Sequence, residues 1–153
     1  MTNLLPPTSL WHRVWKGGVA LCALEEFLLT EFVEKMPINF QQIIRNQLAG
    51  YNLVQRDPDW LELRFYRIAQ GRADRSPLPS LPIRVGEVKL FSITARVPDG
   101  NEPIHANFWA VDRRFFMVNF GSSIKPYKEL PSASIEKTRQ SWRSNVEGGL
   151  TTG

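Results

Sequence analysis

Two histidines and one cysteine are the side chains of this sequence best suited to nucleophilic or general acid–base chemistry. His12 lies beside two tryptophans near the start, and His105 lies in a predicted strand with Glu102 and Asp112 nearby in sequence. Neither histidine is accompanied by the strand-to-helix turn that exposes a catalytic serine or cysteine. Cys22 has no second cysteine to pair with, and we expect a reduced thiol that faces the core. The sequence therefore predicts no catalytic residue and no enzyme activity.

Metal and cofactor sites are not indicated either. The histidines and the cysteine lack the His-x-x-x-His and Cys-x-x-Cys spacings that metal sites use. The glycine pairs at 17–18 and 148–149 lack the Lys-Ser/Thr ending of a phosphate-binding loop. Acidic residues recur on one predicted helix, where we interpret them as a solvated face. They are Glu25, Glu26, Glu31 and Glu34. We expect no metal and no cofactor.

The net charge of +4 arises from 19 basic and 15 acidic residues that are spread along the chain. The excess is 0 over residues 1–50, +1 over 51–81, +1 over 82–121 and +2 over 122–153. This even spread predicts weak electrostatic steering rather than the basic stripe that phosphate contacts require, which disfavours nucleic acid as a partner. The longest apolar stretch, 17–24, is too short to cross a bilayer, and the start lacks the basic leader of a secretory signal. We expect a cytoplasmic protein that does not enter a membrane.

The elements that must position any site indicate an α+β fold in a single domain over residues 1–153. It divides into an N-terminal segment (1–18) with a short helix, a helical part (20–50), an antiparallel sheet (51–121) and a tail (122–153). We expect two N-terminal helices packed on a sheet of four to five strands, followed by a C-terminal tail or helix.

The helical part contains two amphipathic patterns. Apolar residues at steps of three and four predict a first helix that Pro37 ends. These residues are Leu21, Leu24, Leu28, Phe32 and Met36. Asn39 is the predicted side-chain cap of a second helix, for which Gly50 provides a left-handed stop.

After residue 50 the apolar period changes from 3.6 to 2. Residues 53–67 predict a hairpin, and 70–82, with several prolines, predict an exposed loop. Alternation over 87–97 and again over 104–120 predicts a three-stranded antiparallel meander. Apolar residues at spacings of seven and four predict a terminal helix between Ser134 and Glu147. These are Ile135, Trp142 and Val146.

The register of the last hairpin decides which side chains are available for function. A two-residue turn at Asp112-Arg113 would pair Phe108 with Met117, whereas a three-residue connection through Arg114 pairs Phe108 with Val118. We favour the three-residue connection, because Asp-Arg is a poor turn where both residues need positive φ. It places Phe116 in the core and Phe115 on the outer side.

In this register the outer side of the meander combines rigid aromatic rings with amides and an arginine, the composition of protein contact surfaces. The predicted partner-binding residues are Arg96, His105, Asn107, Trp109, Phe115, Met117 and Asn119. Two alternatives remain open. The segment with Trp11 and Trp15, or a terminal helix with Trp142, covers this side. Or the same aromatic residues stack the bases of a single-stranded nucleic acid.

The stretch from Ile104 to Phe120 resembles the last hairpin of small bacterial toxin-immunity proteins, which reads aromatic-x-Val-Asp-x-Arg-Phe. The likeness in layout, two helices before a meander, covers residues 20–121. It implies a non-catalytic protein that binds one toxic enzyme and blocks it. The chain departs from this group in charge, because blockers of nucleases are often acidic whereas this chain carries +4.

The leading functional prediction is an immunity or inhibitor protein that neutralises a toxin domain by occluding its active site. The second is a small-ligand-binding protein or an enzyme with an apolar pocket beneath the sheet, in which His105 is the acid–base group. The third is single-stranded nucleic-acid binding. The sequence leaves the identity of the partner and the oligomeric state open.

Overall fold

A computed structural model describes residues 20–98, 100 and 102–146, and within them the fold is α+β. The helices are α1 (Ala23–Lys35), α2 (Ile38–Gly50) and α3 (Ser132–Glu136), with a 3-10 turn over Lys125–Tyr127. The strands are β1 (Leu53–Arg56), β2 (Glu62–Tyr66), β3 (Ile68–Ala69), β4 (Arg72–Ala73), β5 (Glu87–Arg96), β6 (Ile104–Val111), β7 (Arg114–Phe120) and β8 (Arg139–Ser144). The short helix predicted in residues 1–18 lies outside the described residues.

Six of these strands form one antiparallel sheet in the order β1-β2-β7-β6-β5-β8. The predicted hairpin and meander are confirmed, but the sheet exceeds the predicted four to five strands because the tail adds β8. The terminal helix predicted between Ser134 and Glu147 is wrong for most of its length, because α3 ends at Glu136 and Arg139–Ser144 form the strand β8. Pairing with β5 explains the difference, because it satisfies the backbone hydrogen bonds along an edge that a helix would leave open.

Both long helices pack on one side of the sheet, which we call the inner face. The apolar stripe predicted for α1 is buried there, and the helix ends at Lys35, just before Pro37 as predicted. The ring of Phe32 stacks on Phe108 with 4.4 Å between centroids, and it also touches Phe115 at 5.0 Å. Aromatic rings therefore fill the space between helices and sheet.

The predicted caps of α2 are wrong. Pro37 is the N-cap and the helix begins at Ile38, so Asn39 lies inside the first turn and makes no side-chain cap. Gly50 is the last helical residue rather than a left-handed stop. A side chain at this position would collide with Leu78, which gives glycine a packing role here.

The β6–β7 connection is a two-residue turn, not the predicted three-residue one. Asp112 and Arg113 both adopt positive φ, 49° and 70°, as a type I′ turn requires. The Asp112 carboxylate supports this strained position by accepting a hydrogen bond from the Gly86 backbone N–H at 3.0 Å. The pairing of Phe108 with Val118 is nevertheless confirmed, because a bulge at residue 116 supplies the extra residue.

Side chains from the end of α2 hold the bulged strand. β2 pairs with β7 only as far as Arg64 opposite Met117. Beyond this point the buried Gln47 accepts a hydrogen bond from the Phe115 N–H at 2.9 Å, and the Tyr51 hydroxyl donates to the Phe115 carbonyl. The two side chains thus satisfy backbone groups that the neighbouring strand does not reach.

Gln47 also fixes the segment between β4 and β5. Its amide nitrogen donates to the Pro79 carbonyl at 2.8 Å. Leu78 and Leu81 are buried in this segment, and β3 and β4 form a small hairpin before it. The prediction of an exposed loop over 70–82 is therefore wrong in part, because the segment is held at the end of the sheet by this hydrogen bond and by its two buried leucines.

Candidate functional site

The candidate site is the side of the six-stranded sheet opposite the helices, which we call the outer face. The predicted register places its central residues correctly: Asn107 lies opposite Asn119 and Trp109 opposite Met117. His105 lies on the same side of β6, next to Thr94 on β5. Residues directly opposite in an antiparallel pair share one side of a sheet, so these side chains form one surface.

Short polar contacts order the centre of this face. The Trp109 indole N–H donates to the Asn119 side-chain oxygen at 3.3 Å, and the Ser92 hydroxyl donates to the Asn107 oxygen at 2.9 Å. The Lys89 ammonium lies 5.9 Å from the centre of the Trp109 ring. These contacts hold the Trp109 ring in one orientation.

Phe115 was predicted to lie on the outer face, and this is wrong. Its side chain is fully buried on the inner face because the bulge reverses the order of the two neighbouring phenylalanines. Phe116 takes the outer position instead. Its ring meets Tyr66 edge-to-face at 5.5 Å, and the Arg75 guanidinium lies 4.5 Å above its centre.

No described element covers the outer face. The tail, one of the two predicted covers, extends the sheet as β8 rather than folding across it. Trp142 points to the inner side, where it stacks on Phe91 at 5.8 Å and stays 47% exposed. The other predicted cover, with Trp11 and Trp15, lies outside the described residues.

The fold concentrates positive charge that the sequence spreads along the chain. Arg139 on β8 lies opposite Arg96 on β5, Arg143 lies opposite Ser92, and Lys89 lies opposite Trp109. Arg96 is the one member of this group that was predicted from the sequence. Arg139 and Arg143 were missed because residues 139–144 were interpreted as part of a helix, although Arg, Ser and Arg alternate there with Gln and Trp as in a strand. Lys89 lies on the strand predicted over 87–97 but was not among the predicted contact residues.

A shallow cleft of about 280 Å³ opens between β5 and β8 at this end of the sheet. Its lining residues are Thr94, Arg96, Arg139, Gln140 and Ser141. The Thr94 hydroxyl lies 3.2 Å from His105 Nδ1 at the margin of the cleft. The cleft therefore combines two guanidinium groups with hydroxyl groups, a set of hydrogen-bond donors suited to an anion.

Residues 20–98, 100 and 102–146 hold no cluster of three or more His, Cys, Asp and Glu side chains that could ligate a metal. His105, the acid–base group of the second functional hypothesis, is exposed and contacts a threonine hydroxyl. The position beneath the sheet where that hypothesis places a pocket is occupied by the rings around Phe32.

The polar cluster around Glu25 at the start of α1 is structural. Glu25, predicted to be solvated, is 2% exposed and receives two hydrogen bonds from the Arg56 guanidinium, at 2.8 and 2.5 Å. It also accepts the Cys22 backbone N–H at 2.9 Å. Burial, reinforced by the nearby Glu25 charge, raises the pKa of the Cys22 thiol to about 11. The thiol is therefore protonated at neutral pH and a poor nucleophile.

No protein-family model, curated protein or solved structure matches the chain. Among the described residues, no helix is both long enough and apolar enough to cross a membrane.

Proposed function

We propose that this chain is a non-catalytic binding protein that contacts a protein partner through the outer face of its sheet. The observation that carries the proposal is the state of Trp109. It lies at the centre of a face that no described element covers, and its ring is already oriented by Asn119 and Lys89. A half-buried, oriented tryptophan within a polar frame has the character of an interface anchor.

The size of the face supports a protein partner. Six strands spaced about 4.8 Å apart and about 24 Å long give a surface of about 600 Å². A stable interface takes about 800 Å² from each partner, so the sheet and its adjoining loops suffice for one contact. A small molecule would need a concave site, and the outer face offers shallow relief.

The specific form that we propose is an immunity or inhibitor protein that occludes the active site of a toxin domain. This form rests on the resemblance of residues 104–120 to the last hairpin of such proteins. The hairpin carries Asn107, Trp109, Met117 and Asn119, so its two strands supply the centre of the proposed contact. A rigid sheet can block an enzyme by covering its cleft without any reaction of its own.

The proposal is tested by titrating the chain against a partner isolated by cross-linking in the cells of origin and then purified. Occlusion requires one chain for each partner molecule. We expect the partner's activity to fall linearly and to end at an equimolar ratio, with activity restored when the complex is separated. Inhibition at far lower ratios, or a partner that stays inactive after separation, would show a catalytic effect and contradict the proposal.

A further inference from the structure

The β5–β8 end of the outer face places two arginines against each other. Arg96 and Arg139 lie directly opposite on neighbouring strands, and both are exposed. Neither guanidinium group forms a hydrogen bond or ion pair with any residue that the structure describes. Thr94 and Ser141 form the next pair along the same strands and line the same cleft.

This arrangement is unfavourable for the chain alone. Like charges directly opposite on adjacent strands repel each other and destabilise the pairing. Arginine also presents its donors in a planar fork that matches the two oxygens of a carboxylate. A bound anion would convert the repulsion into two charge-assisted contacts, with the hydroxyl groups as further donors.

We infer that this end of the outer face, around Arg96, Arg139 and Arg143, binds carboxylates from an acidic segment of the protein partner. The inference rests on the proposed function and adds the chemistry of the partner. Arg143 follows Arg139 by four residues on the same side of β8, which separates them by about 13 Å along the strand. An extended segment with acidic residues four positions apart matches this distance.

The aromatic residues of the outer face favour a protein over a single-stranded nucleic acid. Non-specific binding of single strands depends on rings that bases can stack on. Here Lys89 already lies over Trp109, and Arg75 lies over Phe116. A cation of the same chain therefore lies over each ring, where a base would have to stack.

The acidic residues of the outer face also favour a protein over a single-stranded nucleic acid. Glu87 lies opposite Val111 beside the Trp109 row, and Glu62 lies opposite Asn119. The Glu87 carboxylate would repel a phosphate backbone that continued across the sheet, whereas the Glu62 carboxylate is paired with Arg64 at 2.5 Å. A partner whose carboxylates contact only the β5–β8 end avoids this repulsion, which fits a short acidic segment.

The test uses fluorescence anisotropy with a labelled Gly/Ser peptide that carries glutamates four residues apart. The comparison ligands are the same peptide with glutamine for glutamate and a labelled oligothymidine. Each is titrated against the full chain and against Arg139→Gln. The matched control is Arg72→Gln, which removes the same charge from the exposed strand β4.

We expect the glutamate peptide to bind at low ionic strength and the glutamine peptide not to bind. Arg139→Gln should weaken the glutamate peptide by about tenfold, and Arg72→Gln should change it by less than twofold. Equal weakening by both variants would reduce the effect to net charge and overturn the inference. So would the absence of glutamate-peptide binding, or tighter binding of oligothymidine that Arg139→Gln abolishes. If the peptide experiment fails but the purified partner is inhibited at an equimolar ratio, the inference about an acidic segment is rejected and the proposed function stands.

Discussion

The two faces of the sheet share the same strands but differ in every property that decides a substitution's effect. The inner face is closed at its centre, where Phe32 of α1 contacts Phe91, Phe108 and Phe115 and all four rings are fully buried. No described element covers the outer face. Its Trp109 ring contacts Lys89 and Asn119, and a cation also lies over its Phe116 ring. Side-chain burial on the inner face stabilises the fold, whereas the outer face is the contact surface of the proposed function. The cost of a substitution should therefore follow the face and not the residue type.

The largest expected effect comes from neighbouring phenylalanines on opposite faces. Phe115→Ala leaves a cavity among the inner rings, and we expect it to lower the free energy of unfolding by about 3–5 kcal/mol. Phe116→Ala removes a half-buried ring from the surface and should cost about 1 kcal/mol. Urea denaturation of both variants measures the difference directly. Equal losses would mean that the bulge does not place these rings on opposite faces.

The next effect tests whether α2 stabilises the end of β7. Gln47→Leu removes the hydrogen bonds to Phe115 and Pro79 and leaves buried backbone groups unsatisfied. We expect a loss of about 2–3 kcal/mol in the free energy of unfolding. Gln42 is the matched control on the same helix, since it bonds only to Asn46 on the exposed side. Gln42→Leu should stay within about 0.5 kcal/mol of the unmodified chain, and a similar loss in both variants would contradict the role given to Gln47.

The smallest effect has the opposite sign. Arg139→Gln removes the repulsion with Arg96, so we expect the chain to become more stable by about 0.2–0.5 kcal/mol at low ionic strength. Salt should reduce the gain, because it screens exposed charges. Arg72→Gln serves again as the control, because the residue opposite Arg72 on the neighbouring strand β3 is Ala69 and not a cation. A loss of stability in Arg139→Gln would show that the arginine supports the fold rather than binding.

The sequence predicted the elements whose pattern is carried by many residues at once. The α1 stripe and the alternation in β5, β6 and β7 each repeat a period several times, so one irregular residue does not erase them. The pairing of Phe108 with Val118 was also predicted correctly. The reason given was wrong, because a type I′ turn and a bulge at Phe116 together shift the strands by the same amount as a three-residue connection.

The features that were missed depend on tertiary contacts. Positive φ at Asp112 and Arg113 is tolerated because Gly86 bonds the aspartate from a distant segment. β8 is a strand because β5 offers it an edge, a partner that local propensity does not reveal. The charge pattern of the outer face follows from β8, so the Arg96–Arg139 pair was hidden as well. Half of the candidate site could thus be predicted from the meander alone, and its basic end required the fold.

The most direct test of the outer face uses two tryptophans on opposite faces. Trp109→Ala and Trp142→Ala are each titrated by calorimetry against the purified partner, after circular dichroism has shown that both variants are folded. If the outer face is the contact surface, Trp109→Ala should weaken binding by about 2 kcal/mol, or about 30-fold in Kd. Trp142→Ala should leave the Kd within about twofold of the unmodified chain. Full affinity in Trp109→Ala, or a larger loss in Trp142→Ala, would contradict the assignment of binding to the outer face.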